Sequence, residues 1–405
     1  MRDIVILGGG QAGAFAASAL RAQGFDGSLR VVCEEPRPPY ERPPLSKGFL
    51  LSQASAGDLA IFHSGFWTGN SIELVLGVTA TRINAAAKRV ETSAGDLSAD
   101  AVIVSTGARP RRLSVPGAGL PGVHYLRSVD DAEGLRAALR PGKAVVVIGG
   151  GLIGSELAST AADIGCPVTV IDVQPVPLAR ALGALVSRRL MREQQSRGIV
   201  SVVGPVERIH GVHSVTAVEV AAGDLVPADV VIIGIGVIPR VEIAVSSGLD
   251  VGDGVLCDSC GKTSSDGIFA AGDVARVLLP GSVHSRRVEH WKNAISQGQA
   301  VASAILGGTA ARAEPQWYWT EQHGQRVEVA GEVPAEGASV AIRGDAESGS
   351  FSVWYGGEDG DVAAVVGYNR PRDVRAALRL LARPDRKFDG RSIADESTPL
   401  REFAR

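Results

Sequence analysis

Two stretches of the chain repeat one pattern of apolar and polar positions. Residues 3–7 (DIVIL) and 144–148 (AVVVI) are nearly continuous apolar, β-branched runs, as expected of strands covered on both faces of a parallel sheet. Each passes into a glycine run (GGGQAG, GGGLIG), then an alanine-rich helical segment, then a second apolar run ending on an acid (SLRVVCEE, PVTVIDV). Strand, tight turn, helix and strand in that order make a βαβ unit. The copies start about 140 residues apart, too far for a solenoid and natural for two related nucleotide-binding domains.

The pattern changes near residue 314. Alternating runs (WYWTEQ, RVEVAG, ASVAIRG, SFSVWYG, VAAVVGYN) predict an antiparallel sheet, and RPRDVRAALRLLARP predicts a closing helix. The fold class is therefore α/β, with two Rossmann-like domains and a C-terminal α+β domain.

The glycine runs carry the first chemistry. Gly8, Gly10 and Gly13 have GxGxxG spacing, as do Gly149, Gly151 and Gly154. The first glycine allows the tight turn, the second lets a pyrophosphate approach, and the third lets helix pack on strand. The helix N-terminus then offers N–H groups and a positive dipole end to phosphate. Glu34 follows Gly13 by 21 positions and Asp172 follows Gly154 by 18, where an acid accepts ribose hydroxyls. At Asp172 a carboxylate repels a 2′-phosphate and no arginine follows within seven residues, so NADH is favoured over NADPH.

Composition excludes several classes. The 405 residues carry a net charge of −3, giving no global case for nucleic acid. Apolar runs are short and broken by glycine, so no membrane span is expected. Four cysteines do not make a disulfide scaffold, and Met1 runs directly into a strand without room for a signal peptide. A reduced, cytoplasmic protein is expected.

With both cradles, VSTGARP at 104–110 and FAAGDVA at 269–275, the chain resembles the two-dinucleotide flavoproteins, in which the first cradle holds FAD and the second NAD(P)H. The resemblance implies an FAD-binding domain over 1–112 and 242–312, an NAD-binding domain over 113–241, and a C-terminal domain over 313–405. It implies that Asp273 bonds the ribityl chain and that Thr106 and Gly107 line the FAD site.

The stretch PPYERPPLSKG, residues 38–48, narrows the resemblance. Disulfide and peroxide reductases of this fold place one or two cysteines there; residues 36–50 hold none. The segment is similar to that of the oxygenase-coupled ferredoxin reductases, the putidaredoxin reductase and biphenyl dioxygenase reductase kind, where the lysine lies beside the flavin. GLIGSELA, GIGVIPR, RVEHWKNAISQGQAVA and WYWTEQHGQRVEVAG resemble further segments of that family, with His290, Lys292 and His323 departing from its usual residues. The resemblance implies FAD contacts from Ala12, Arg42, Lys47, Ala80, Arg127 and Trp291. It implies NAD contacts from Ile153, Glu156, Arg180, Gly234, Ile235 and Gly236. A poorly solvated Lys47 needs a carboxylate partner, and Glu156 is the candidate. Trp319 is a candidate to stack on the flavin, or plain core.

The implied activity is hydride transfer from NADH to FAD, then single electrons to a [2Fe–2S] ferredoxin feeding a Rieske-type or cytochrome oxygenase. The chain has no cluster motif of its own: Cys33, Cys166, Cys257 and Cys260 lack ferredoxin spacing. Two alternatives remain: a thiol-dependent disulfide or peroxide reductase using Cys257 and Cys260, and a slow-turnover flavoprotein like apoptosis-inducing factor. For the ferredoxin, residues 368–391 hold eight Lys/Arg (Arg370, Arg372, Arg375, Arg379, Arg383, Arg386, Lys387, Arg391) against three Asp. Arg286, Arg287 and Lys292 form the alternative basic surface.

Overall fold

The computed structural model describes residues 1–221, 223–278, 284–308, 314–334, 338–357, 359–383 and 387–403. Arg386 and the 312/313 domain boundary lie outside the described residues. The chain forms two compact units: Met1–Pro43, Ser55–Arg109 and Val237–Ala313 in the first; Pro44–Ala54, Pro110–Gly236 and Glu314–Arg405 in the second.

The first unit is built on a five-stranded parallel sheet in the order Ile268–Ala270, Ala101–Val104, Asp3–Leu7, Ser28–Cys33, Glu73–Leu76. Alternation along the strands feeds two cores. Ile4, Ile6, Val31 and Ile103 face the helices Gln11–Ala22 and Trp291–Ile305, while Val5, Leu7, Val32 and Val102 face the opposite cluster. Every one of these side chains is buried, which is why the strands read as unbroken apolar runs.

The second unit holds the other parallel sheet, ordered Val200–Val203, Val168–Asp172, Val145–Ile148, Val230–Ile233, Val123–His124. It also holds an antiparallel sheet ordered Trp317–Gln322, Gln325–Gly331, Val362–Tyr368, Ser350–Gly356, Val340–Asp345. The hairpin loop joining its first two strands is His323 (φ 50°) and Gly324 (φ 73°), a pair of left-handed residues suited to the twist of flanking strands. On one face Val374, Ala377 and Leu380 of the helix Pro371–Leu381 pack with Trp354 and Val365. On the other, Leu182, Val186 and Leu190 of the helix Ala179–Ser196 pack with Val327, Val353, Tyr355 and Val366. That helix is broken at Gly183 (φ 75°, ψ 155°), where an added Cβ would lie 1.9 Å from Tyr355 Oη. Only glycine accommodates both the backbone angle and the tyrosine.

Candidate active site

In the first unit, Gly10 caps the helix Gln11–Ala22 with no side-chain hydrogen bond, and a Cβ built on it meets nothing within 4 Å. Its neighbour Gly13 is the reverse: a Cβ there would sit 2.2 Å from the Gly8 carbonyl oxygen. The loop is closed against its helix and open outward, the shape of a pyrophosphate cradle. Gln11 Nε2 is buried without a hydrogen-bond partner beside this opening, a donor left for a ligand atom. The residues therefore fit the FAD diphosphate. Ala12 lies beneath the loop, where a Cβ on Gly272 would meet its methyl at 2.9 Å.

Glu34, at the end of its strand, is held by Arg240: Nη2 lies 3.0 Å from Oε1, and Nη1 bonds Oε2. The Arg240 hydrogen bond keeps the Glu34 carboxyl below the usual glutamate range. Arg240 ends the stretch GIGVIPR, and nothing in local spacing couples residues 34 and 240. Thr106 Oγ1 donates to the Arg240 carbonyl at 2.8 Å, and Arg240 N donates to the Gly107 carbonyl at 2.9 Å. Glu34, Thr106 and Gly107 thus share one anchor. Arg42 reaches Glu35 at 2.8 Å, with Tyr40 Oη donating to the same carboxylate at 2.6 Å; neither Glu35 nor Tyr40 was anticipated. Asp273 sits in the short turn Gly272–Val274, whose Gly272 N donates to Gln297 Oε1 at 2.7 Å. Trp291 begins the helix Trp291–Ile305. Ala80 opens the strand Ala80–Asn84 and packs beside the cluster containing Val5 and Leu7.

The second unit repeats the cradle. Gly151 caps the helix Leu152–Ile164, and a Cβ on it meets open space, while one on Gly154 would lie 1.9 Å from the Gly149 carbonyl oxygen. A Cβ on Gly149 (φ 97°) would lie 2.5 Å from the Gly234 carbonyl oxygen, so the turn holding Gly234, Ile235 and Gly236 packs on the first glycine. Asp172 accepts from Gly150 N at 2.7 Å and from Gln174 N at 2.8 Å. It braces the glycine loop, and a carboxylate with about four acceptor positions retains capacity for ribose hydroxyls. Ile153 and Arg180 are exposed beside the loop and at the start of the next helix. These residues fit a nicotinamide dinucleotide. Arg127 belongs to this unit and precedes the helix Val129–Ala138, its backbone N–H donating to Asp131.

Lys47 and Glu156, 109 residues apart in sequence, meet. Nζ lies 2.8 Å from Oε2, with the lysine side chain 18% and the glutamate 6% exposed. Pro43–Ser46 forms a short 3-10 turn that aims Ser46 and Lys47 together: Ser46 Oγ donates to the same oxygen at 2.5 Å. The other oxygen, Oε1, accepts from Thr320 Oγ1 at 2.8 Å and Glu321 N at 3.3 Å. A nearly buried carboxylate is tolerated because four donors replace its water. Thr320 and Ser46 were not foreseen, although both lie in stretches that carried the resemblance.

The cysteine motif at 257–260 begins at the end of the strand Gly254–Cys257 and leaves it in a turn. Asp258 Oδ1 accepts from Cys260 N at 2.8 Å and Lys262 N at 2.9 Å. Cys257 is buried, and burial pushes its thiol up to about 12; Cys33 is pushed up to about 12 in the same way. All four cysteines are free. A thiol in that range supplies almost no thiolate at neutral pH.

Two of the unusual histidines are held neutral, His323 buried and His290 half-buried. Burial lowers the His290 pKa from 6.5 to about 4, and that of His323, whose Nδ1 is 3.5 Å from Asp163 Oδ1, is lowered by the same cause. The unfolded chain binds protons at these sites near pH 6.5 and the folded chain only near 4 for His290. The His290 contribution to stability is therefore complete above about 6.5 and lost as pH falls toward about 4, and that of His323 is lost in the same direction. Calorimetric melting temperatures should fall across that window, with a shallower slope in His290→Asn.

Two phosphate cradles, one with a strand-end acid latched by arginine and one beside a buried glutamate paired with a half-buried lysine, define a two-dinucleotide flavoprotein oxidoreductase. The family profile described as pyridine nucleotide-disulphide oxidoreductase matches residues 2–298, and the profile described as reductase C-terminal matches 317–404. Rhodocoxin reductase of Rhodococcus erythropolis is 37% identical over 94% of this chain and 89% of its own length. The ferredoxin–NAD(+) reductase component of the biphenyl dioxygenase system of Paraburkholderia xenovorans is 35% identical over 93% and 92%. Among solved structures, the covalent putidaredoxin reductase–putidaredoxin complex aligns with a TM-score of 0.93 and 32% identity, covering 99% of this chain and 98% of that one. The chain belongs to the pyridine nucleotide-disulphide oxidoreductases, in the branch of FAD- and NAD(H)-dependent ferredoxin reductases of oxygenase systems.

Proposed function

We infer that the chain is an NADH-dependent ferredoxin reductase that delivers electrons to a [2Fe–2S] ferredoxin serving an oxygenase. The carrying observation is Lys47 paired with Glu156 where thiol-dependent relatives place a redox cysteine. Bound FAD supplies the conversion of a hydride into single electrons. The protein's own groups bind and orient. The cradle of Gly8, Gly10 and Gly13 takes the FAD diphosphate, Glu34 the adenosine ribose, and Asp273, Thr106, Gly107, Ala80, Arg42, Arg127 and Trp291 the remainder. Gly149, Gly151 and Gly154 take the NADH diphosphate, with Asp172 on its ribose and Ile153, Arg180, Gly234, Ile235 and Gly236 around it. Lys47 provides positive charge at the flavin, favouring negative charge on the reduced ring. The partition is an FAD-binding domain over 1–112 and 242–312, an NAD-binding domain over 113–241 and a C-terminal domain over 313–405.

For the ferredoxin, Arg372, Arg375 and Arg379 lie exposed along one side of the helix Pro371–Leu381 and offer positive charge to an acidic partner. Arg370 is engaged by Glu396 at 2.8 Å, and Arg287 by Asp253 and Glu289. Among the described residues no helix is long and apolar enough to cross a membrane; with four free thiols, the cytoplasm is the proposed compartment.

The purified protein should be yellow, bleach with NADH, and reduce cytochrome c only with a [2Fe–2S] ferredoxin present. The Cys257→Ser/Cys260→Ser double variant should keep the full rate. A chain that purifies without flavin, or a double variant that stops turning over, overturns the reading.

A further inference from the structure

The Glu156 carboxylate is gripped from two sides. Oε2 receives Ser46 Oγ and Lys47 Nζ, both from the proline turn; Oε1 receives Thr320 Oγ1 and Glu321 N, both from the strand Trp317–Gln322. Rotating the carboxylate to suit one segment breaks its bonds to the other. Its orientation, and hence that of the lysine ammonium, depends on both.

Thr320 is 1% exposed and is itself directed. Gln322 Nε2 lies 3.3 Å from its hydroxyl oxygen as a donor, and Gln322 Oε1 accepts from Gln194 Nε2 at 3.0 Å. A hydroxyl has one proton; with the amide donating to its oxygen, that proton goes to Glu156. The donors thus run in one sense from Gln194 in the helix Ala179–Ser196 through Gln322 and Thr320 to the Glu156 carboxylate, whose other oxygen accepts from the Lys47 ammonium. The helix Leu152–Ile164 reinforces the register on the same face, one turn on. Ser159 Oγ accepts from His323 N at 2.7 Å, and Thr160 Oγ1 donates to the Ser46 carbonyl at 2.7 Å.

We propose that Thr320 is a positioning residue: the first strand of the C-terminal domain, through Thr320 backed by Gln322 and Gln194, sets the Glu156 carboxylate and so aims Lys47. This rests on the reading of Lys47 and Glu156 as the pair that assists NADH oxidation, and it extends that reading to a domain that carries neither residue. The C-terminal sheet then has a part in the reductive half of the reaction, besides any it has toward the ferredoxin.

The experiment uses the flavin-loaded protein. Thr320→Val, Thr320→Ser, Glu156→Gln, Lys47→Met and the Thr320→Val/Glu156→Gln double variant are compared by stopped-flow bleaching at saturating NADH. NAD+ affinity is measured by calorimetry, and the melting temperature is recorded. Thr320→Val should slow the limiting rate about tenfold while NAD+ affinity stays within about twofold. Thr320→Ser should restore the rate. In the Glu156→Gln background the valine should add little, because its effect runs through that carboxylate. A wild-type rate in Thr320→Val alongside a slow Glu156→Gln overturns the positioning role and leaves the pair intact. A serine variant as slow as the valine variant, or losses that multiply in the double variant, assigns Thr320 to packing alone and overturns it equally. Wild-type rates in both Lys47→Met and Glu156→Gln overturn the underlying reading instead.

Discussion

Lys47→Met yields a protein that is still yellow but bleaches with NADH on the order of 100-fold more slowly than the parent. FAD stays bound because the cradle, Glu34 with its Arg240 latch, and Thr106 are held by contacts that do not involve Lys47. The fold tolerates the change because Glu156 keeps three donors, Ser46, Thr320 and Glu321 N, when the ammonium is removed. Methionine preserves length and apolar contact while deleting charge, so the variant reports on the charge. Stopped-flow absorbance with NADH, and with dithionite as a reductant that bypasses the nicotinamide site, checks it. Unchanged NADH kinetics would return Lys47 to an ordinary half-buried lysine.

The second large effect separates the cradles. Alanine at Gly13 would put its methyl 2.2 Å from the Gly8 carbonyl oxygen, and alanine at Gly154 1.9 Å from that of Gly149. Both clashes are with backbone, so the loop must open and its N–H groups lose their aim. Gly13→Ala should purify nearly colourless. Gly154→Ala should stay yellow, bleach with dithionite, and bind NADH about 100-fold more weakly. The flavin content per chain and an NADH titration read the two outcomes; the reverse pattern would exchange the cofactors between cradles.

The sequence disclosed what local rules control. Apolar runs buried on both faces, glycine spacing and strand-end acids are readable because strand period and turn geometry act over a few residues. The Lys47–Glu156 pair was readable for a different reason: the resemblance to the ferredoxin reductases sets a lysine beside the flavin and an acid at Glu156, and a poorly solvated lysine requires a carboxylate. Arg240 on Glu34, and Thr320 on Glu156, were not. Each is a polar side chain at a strand end or within a strand, where alternation says which way it points but not what stands opposite. Asp172 shows the same limit from another side. Its position announced a ribose acceptor, and the structure adds a brace for Gly150 that depends on two backbone N–H groups coming within 2.8 Å.

The helix Ala179–Ser196 reads from sequence as part of the nucleotide-binding domain, yet Leu182 and Val186 are fully covered in a cluster with strands of the C-terminal sheet, and Gly183 exists in its conformation to seat Tyr355. One helix is therefore a wall of two cores. Cutting the chain ahead of the antiparallel sheet would not release a self-sufficient nucleotide-binding module, because it would bare that helix's apolar face to water. Nor would the excised sheet keep its shape, having lost the surface against which Phe351 and Val366 close. In thermodynamic terms the second dinucleotide fold and the C-terminal sheet should behave as one cooperative unit, and calorimetry should show them melting in a single transition.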